Sequence, residues 1–282
     1  MDFNNPFVKQ LLDIAIAEDI GDGDHSSLGA IDKGVQGKAR LLVKDNGIIC
    51  GIPLAKHIMH RIDDAVAFTQ LIDEGANVKY GDIAFTVEGS VHSILQAERL
   101  MLNFMQRMSG IATVTNKLAT LIAGTHAKLL DTRKTTPGLR TFEKYAVTVG
   151  GGMNHRFALY DMVMLKDNHN DYAGGITKAV ERTVAYLNQV GKDLKIEVET
   201  RNLAEVTEAL STGKVDRIMF DNFTRELMVE AVKLVNKQCE TEASGGITEE
   251  TIRGYAETGV DFISVGALTH SVRSLDLSLK EY

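Results

Sequence analysis

Between residues 131 and 169 the basic side chains Arg133, Lys134, Arg140, Lys144, Arg156 and Lys166 outnumber the acids, in a chain of formal net charge −7. They stand beside turn formers, Thr135-Thr136-Pro137-Gly138 and Gly150-Gly151-Gly152, and at the ends of apolar runs. Scattered charges usually mark a solvated face, but cations at loop and strand ends are where a rigid scaffold presents side chains to a ligand. Arg133, Lys134, His155, Arg156 and Lys166 therefore suit a small anion: guanidinium forks match carboxylates and phosphates bidentately, and lysine adds a compact point charge. A second set, Glu199 and Asp221, offers two carboxylates to a cationic centre: ribose hydroxyls, a developing carbocation, or Mg²⁺ holding a phosphate. A third, Ser244-Gly245-Gly246 with Gly266, follows apolar runs, where glycine lets backbone N–H groups approach a phosphate.

The elements that must position these groups follow from the pattern of apolar residues. Short apolar runs at 128–131, 162–165, 195–198, 217–220, 239–243 and 261–265 read as strands. Helical patterns lie between most of them, at 176–188, 203–211, 225–236 and 249–258. Strand and helix in alternation imply a parallel sheet wound in one hand, with its βα loops at one end. Glu199, Asp221, Ser244 and Gly266 close successive strands at separations of 22, 23 and 22 positions, so each unit delivers a polar or small residue to the same end. In α/β barrels that end is where catalysis occurs. Six strands can be counted, where a full barrel needs eight.

The first third differs. Asn5 and Pro6 start a helix with Phe7, Leu11, Ile14 and Ala15 at helical spacing. The acidic run 19–24 lacks the spacing and closing Glu of a calcium loop and reads as a turn. Residues 37–45 read as a strand, Asn46-Gly47 as a hairpin turn into Ile48-Ile49, and 53–62 as a short helix, with more strands to about Ser90. From His92 come two helices interrupted at Ser109-Gly110, with a Met and Leu stripe that reads as core; Arg99 stands there among apolar neighbours. The tail, with Leu275, Leu277 and Leu279, suits a strand returning to the first domain.

The 282 residues, 44% hydrophobic and 24% charged, are those of a soluble globular protein with room for two moderate domains. The acidic balance excludes the extended basic face of a nucleic-acid binder. No apolar run approaches the roughly 18–20 residues needed to span a bilayer, so no membrane association is expected. The start, MDFNNPFVKQ, shows no basic, then apolar leader, and Cys50 and Cys239 match no metal or redox spacing. A cytoplasmic protein with reduced cysteines is expected.

On residues alone, three functions remain open. One is an enzyme whose pocket takes a phosphate, a cationic or metal-bound middle and a carboxylate-rich partner. Another is a Schiff-base lyase using Lys166 or Lys134, its pKa depressed by neighbouring cations. The third, a non-enzymatic anion binder, has no need of the acidic pair.

The motifs DTRKT with PGLR, KYAV followed by GGG and NHR, LKDNH, IEVET, FDNF, ASGGI and ISVGALTH, from the AED-GDGD-S start to the SVRSLDL tail, resemble the quinolinate phosphoribosyltransferases. The resemblance implies an α/β chain with an N-terminal α/β sandwich over residues 1–101, joined by the tail 271–282. It implies an open-faced, roughly six-stranded α/β barrel over 102–270. The implied activity transfers phosphoribose from phosphoribosyl pyrophosphate to quinolinate with Mg²⁺, releasing pyrophosphate and CO₂, in NAD biosynthesis. A homodimer with shared sites is implied too. By the same resemblance Arg133, His155, Arg156 and Lys166 hold the quinolinate carboxylates, with Arg99 entering from the partner subunit. Lys134 lies toward the pyrophosphate. Glu199 and Asp221 face the ribose and its metal. Ser244, Gly245, Gly246, Gly266 and His270 take the 5′-phosphate. A related phosphoribosyltransferase with another pyridine acceptor is the neighbouring alternative.

Overall fold

A computed structural model describes residues 1–282. The chain forms two compact units, one of residues 1–116, 135–151 and 268–282, the other of 117–134 and 152–267.

The first unit opens with α1 (Pro6–Ile20), capped by the Asn5 side chain, which accepts the Phe7 N–H. Its buried residues are Val8 and Leu12, whereas Phe7 and Ile14 are exposed. The expected stripe of Phe7, Leu11, Ile14 and Ala15 was thus one position out of phase with the face that packs. This helix has apolar residues on both stripes, and periodicity alone does not say which meets the core. Asp24 ends the acidic run by capping α2 (His25–Ala30), accepting from the N–H groups of Ser26 and Ser27. The strands β1 (Gln36–Val43), β2 (Gly47–Ile48), β3 (Ala67–Gln70), β4 (Asn77–Val78) and β5 (Ile83–Ser90) surround α3 (Ile52–Ile62) in sequence. The main sheet is antiparallel, in the order β12-β1-β5-β3, where β12 is the tail Leu277–Glu281. Leu41 pairs with Leu279, so the tail does return to this unit. The hairpin expected at Asn46-Gly47 does not form. Both edges of β1 are taken, by β5 and β12, and β2 pairs instead with β4.

The two helices expected after His92 are one, α4 (Val91–Leu121). Ser109 and Gly110 do not break it. The Ser109 hydroxyl accepts the Cys50 N–H at 2.9 Å. A Cβ on Gly110 would lie 2.3 Å from the Arg273 carbonyl oxygen, so the glycine answers to close packing of the tail on the helix. Also in this unit, α5 (Arg140–Val149) carries a buried Glu143, whose carboxylate accepts from Arg107 of α4 and from the Thr136 N–H.

The second unit is an open six-stranded parallel sheet in the order β6-β11-β10-β9-β8-β7. The strands are β6 (Lys128–Leu130), β7 (Val163–Leu165), β8 (Ile196–Thr200), β9 (Arg217–Asp221), β10 (Glu240–Ser244) and β11 (Phe262–Ser264). They fall on the six runs expected from sequence. Strands β6 and β7 are the edges, so the barrel is left open. Strand β8, next to the edge strand β7, is buried throughout, the pattern of a parallel strand covered on both faces. The helices α6 (Asp167–Ala173), α7 (Ile176–Val190), α8 (Leu203–Ser211), α9 (Arg225–Val235), α10 (Ile252–Ala256) and α11 (Ala267–His270) complete the chain. Each longer one buries a single stripe: Ile176, Ala179, Val180 and Leu187 in α7, and Met228, Ala231 and Val235 in α9. Side chains of Asn202 and Thr224 cap α8 and α9, so the helices start where the βα turns end.

Candidate active site

Because the six strands are parallel, their C-terminal ends share one edge of the sheet, and alternate residues of each share one face. Glu199 pairs in register with Met219, and Ser244 with Asp221. Glu199, Asp221 and Ser244 thus stand together at the end of β8, β9 and β10. Glu199 is buried; Asp221 and Ser244 are half-buried. Lys166, immediately after β7, reaches across with its ammonium 3.3 Å from Glu199 Oε2. Thirty-three positions separate these two residues, and the sheet brings them into an ion pair. Asn170 of α6 fixes the strand end by donating to the Glu199 carbonyl at 3.3 Å.

The turn after β10 is built for backbone approach. Gly245 and Gly246 have φ of 98° and 59°, in the region that L side chains avoid. A Cβ on Gly245 would lie 2.3 Å from Asn222 Oδ1, whereas one on Gly246 would meet nothing within 4 Å. Asn222, itself at φ 56°, donates its N–H to the Ser244 carbonyl at 2.9 Å, tying the β9 and β10 loops together. Gly245→Ala therefore carries a steric clash as well as backbone strain, and Gly246→Ala only the strain, on the order of 1–3 kcal/mol. Thermal melts should rank Gly245→Ala clearly below Gly246→Ala; equal melting would refute this account of the turn.

At the other side, the chain after β6 carries Asp131, fully buried, then Arg133, half-buried, and Lys134, exposed. Asp131 accepts the His155 N–H at 2.8 Å and donates its own N–H to Met153, so the 153–155 segment lies alongside the end of β6. Arg156 follows, half-buried, its guanidinium donating to the Met162 carbonyl at 3.0 Å. Burial first, and then the nearby charge of Arg133, lowers the Arg156 pKa from its usual value. The charges of Glu197 and Asp161 offset part of that effect, and the neighbouring guanidiniums suit an anionic ligand.

Beneath this layer lies a buried charged group that sequence reasoning passed over. His155 Nε2 is 3.0 Å from Glu197 Oε2 and 3.3 Å from Glu242 Oε2, with all three side chains almost wholly buried. Arg217 donates to Glu242 and Glu240, at 3.0 Å each, and stacks over the Phe262 ring at 4.0 Å. A guanidinium 3.0 Å from Glu242 already supplies positive charge that a His and two Glu would otherwise draw from a metal ion. Burial pulls the His155 pKa down, and the bonds and charges of both glutamates more than reverse it, to about 9. Yet the Arg156 N–H donates to Nδ1 at 2.7 Å, which opposes a second ring proton there and leaves the ring proton on Nε2. Glu197, pushed up to about 7 by burial and the Glu242 charge, is the better place for any further proton of the group. One signal was legible: Glu197 two positions before Glu199, Glu242 two before Ser244 and Arg217 four before Asp221 put charges on strands that should be apolar on both faces.

The structure thus brings together, within the second unit, Arg133, His155, Arg156, Lys166, Glu199, Asp221, Ser244, Gly245 and Gly246 on the loops and strand ends described. Lys134 and Gly266 lie in the same unit, on the loops after β6 and β11. Arg99, exposed on α4, and His270, exposed at the end of α11 and hydrogen-bonded to Ser271, belong to the first unit.

Comparison with known proteins bears on this arrangement. Residues 111–280 match the family model described as quinolinate phosphoribosyl transferase, C-terminal domain, and residues 24–109 match that of the N-terminal domain. A Nicotiana tabacum protein named quinolinate phosphoribosyltransferase [decarboxylating] 1b is 45% identical over 97% of this chain and 82% of its own length. A Synechocystis protein named probable nicotinate-nucleotide pyrophosphorylase [carboxylating] is 44% identical over 98% of this chain and 92% of its own. Among solved structures, the nicotinate-nucleotide pyrophosphorylase from Francisella tularensis superposes with a TM-score of 0.91 at 40% identity, covering 99% of this chain and 97% of that one. With both family domains matched in order and relatives alike over nearly the full length, this chain belongs to the quinolinate phosphoribosyltransferase family.

Proposed function

We propose that the protein transfers the phosphoribosyl group of phosphoribosyl pyrophosphate to quinolinate, releasing pyrophosphate and CO₂ and giving nicotinate mononucleotide, a step of NAD biosynthesis. The observation that carries this reading is the segregation of charge along one sheet edge. Cations gather after β6 and β7, and carboxylates at the ends of β8 and β9, with Lys166 and Glu199 meeting at 3.3 Å where the two groups join.

Arg133, His155, Arg156 and Lys166 take the two ring carboxylates, and Lys134 faces the pyrophosphate. Glu199 and Asp221 lie by the ribose, and the Ser244-Gly245-Gly246 turn with Gly266 takes the 5′-phosphate. As the bond from the ribose anomeric carbon to the pyrophosphate oxygen breaks, pyrophosphate leaves with the electron pair and positive charge builds on the sugar. Glu199 and Asp221 stabilise that charge, and the pyridine nitrogen, already held against the carbon, bonds to it. The ring nitrogen is then cationic, the adjacent carboxylate leaves as CO₂, and the ring carbon takes a proton in its place. The chain's part in this last step is to position the ring.

Glu199 and Asp221 suit Mg²⁺ held mainly by substrate phosphates, since two carboxylates with room for water are what that ion takes from a protein. Bound there, Mg²⁺ would neutralise charge on the departing pyrophosphate. The Schiff-base alternative is disfavoured because Lys166 lies in an ion pair, the reverse of the apolar setting such a lysine needs. A cytoplasmic location is carried as part of the proposal, supported by the free state of Cys50 and Cys239.

The reading is tested by release of pyrophosphate that requires quinolinate, phosphoribosyl pyrophosphate and Mg²⁺ together; release with quinolinate omitted would overturn it. The proposed homodimer, with Arg99 serving the partner's site, has its own test. Arg99→Ala and Lys166→Ala should each be inactive. Mixed after dissociation and reassociation, they should recover activity towards about a quarter of wild type, since half the dimers are hybrids with one intact site. No recovery, with subunit exchange confirmed, would exclude the sharing of sites.

A further inference from the structure

His155 is held from three sides. Asp131 accepts its N–H at 2.8 Å, Glu197 and Glu242 stand 3.0 and 3.3 Å from Nε2, and Nδ1 accepts the Arg156 N–H at 2.7 Å. Its side chain is 4% exposed. The ring therefore turns Nε2 toward the glutamates, and its Nδ1 engages the backbone of its neighbour Arg156. Glu242 in turn is fixed by Arg217, which keeps a second carboxylate in Glu240.

We propose that Glu242, together with Glu197, is a positioning residue for the bound pyridine dicarboxylate: the glutamates clamp His155, and His155 clamps the Arg156 backbone so that its guanidinium meets a substrate carboxylate. This rests on the reading of Arg156 as a substrate ligand. It places the glutamates behind the contact that family resemblance implies for His155. The chain of contacts has few degrees of freedom. Glu197 and Glu242 sit on the inner strands β8 and β10, so their carboxylates are placed by the sheet itself. The imidazole takes the Arg156 N–H on Nδ1, and its Nε2 stands within ion-pair distance of both carboxylates. The Arg156 guanidinium is caught beyond that by the Met162 carbonyl, which leaves its remaining N–H groups to point at a ligand. Loss of either glutamate lets the ring turn, and the Arg156 peptide turns with it.

The test is isothermal titration of the intact protein with quinolinate and, separately, with phosphoribosyl pyrophosphate and Mg²⁺. Glu242→Gln keeps the side chain's shape and leaves Arg217 paired with Glu240. Quinolinate Kd should rise on the order of ten- to a hundredfold, the range that supporting hydrogen bonds to ligand-binding side chains command at metal sites. The phosphoribosyl pyrophosphate Kd should stay near wild type, which a general loosening of the fold would not allow. Glu242→Gln added to Arg156→Ala should weaken quinolinate little beyond Arg156→Ala alone, because both act at one guanidinium. Should Glu242→Gln not fold, Glu197→Gln, which receives no bond from Arg217, takes its place. An unchanged quinolinate Kd in the folded variant, or effects that multiply in the double variant, would overturn the proposal. Wild-type protein that fails to bind quinolinate would instead overturn the functional reading beneath it.

Discussion

Glu199→Ala and Asp221→Ala are each expected to lower kcat by about two to three orders of magnitude, the loss seen when one preorganised electrostatic contact to a transition state is removed. Quinolinate binding should not fall with it. The two carboxylates end β8 and β9 on the same face of the sheet as Ser244, beside the Gly245-Gly246 turn and across from the arginines. Their charge is useful where positive charge develops, on the ribose, and it opposes the binding of an acid. The two variants should also differ in one respect. Glu199 is paired with Lys166, so its removal frees that ammonium for a substrate carboxylate, and quinolinate affinity should hold or tighten a few-fold. Asp221 accepts from the Asn222 side chain at 2.7 Å and should leave quinolinate affinity unaltered. Steady-state kinetics with titration of quinolinate alone separates these effects. A collapse of quinolinate affinity in Glu199→Ala would place that carboxylate on the acid's side of the site.

The second large effect concerns the choice of acid. Quinolinate should exceed nicotinate in kcat/KM by about four orders of magnitude, because a site built around a charged group rejects an analogue that leaves its buried partners unpaired. The like charges of Arg133 and Arg156 stand close in a partly desolvated position, and a dicarboxylate relieves that repulsion more fully than a monocarboxylate. Arg156→Ala should therefore raise the quinolinate KM steeply, change the nicotinate KM little, and shrink the ratio between the two. Comparable use of both acids by the wild type would remove the role given to the arginine pair.

The placement of these groups was legible in the chain because parallel strands are self-announcing. Buried runs of four to five residues alternate with amphipathic helices, and the residue closing each run must lie at one edge. That logic located Lys166, Glu199, Asp221 and Ser244 before any coordinate. It failed where a local signal had two physical causes. Gly110 reads as a break, yet it makes room for the Arg273 backbone against an unbroken α4. Asn46-Gly47 reads as a hairpin, yet the edges of β1 are filled by strands from far along the sequence. It also missed the charged group within the barrel. Glu197, Glu242 and Arg217 lie within apolar runs, and the charges are tolerated because His155, 42 residues before Glu197, pairs with both glutamates and Arg217 pairs directly with Glu242.

The central claim is a transfer coupled to loss of one particular carboxylate, and it is tested most directly with quinolinate labelled at the carboxyl carbon beside the ring nitrogen. Incubated with the protein, phosphoribosyl pyrophosphate and Mg²⁺, it should yield labelled CO₂ and unlabelled mononucleotide in equal amounts. Mononucleotide that keeps the label, or labelled CO₂ appearing without phosphoribosyl pyrophosphate, would contradict the account.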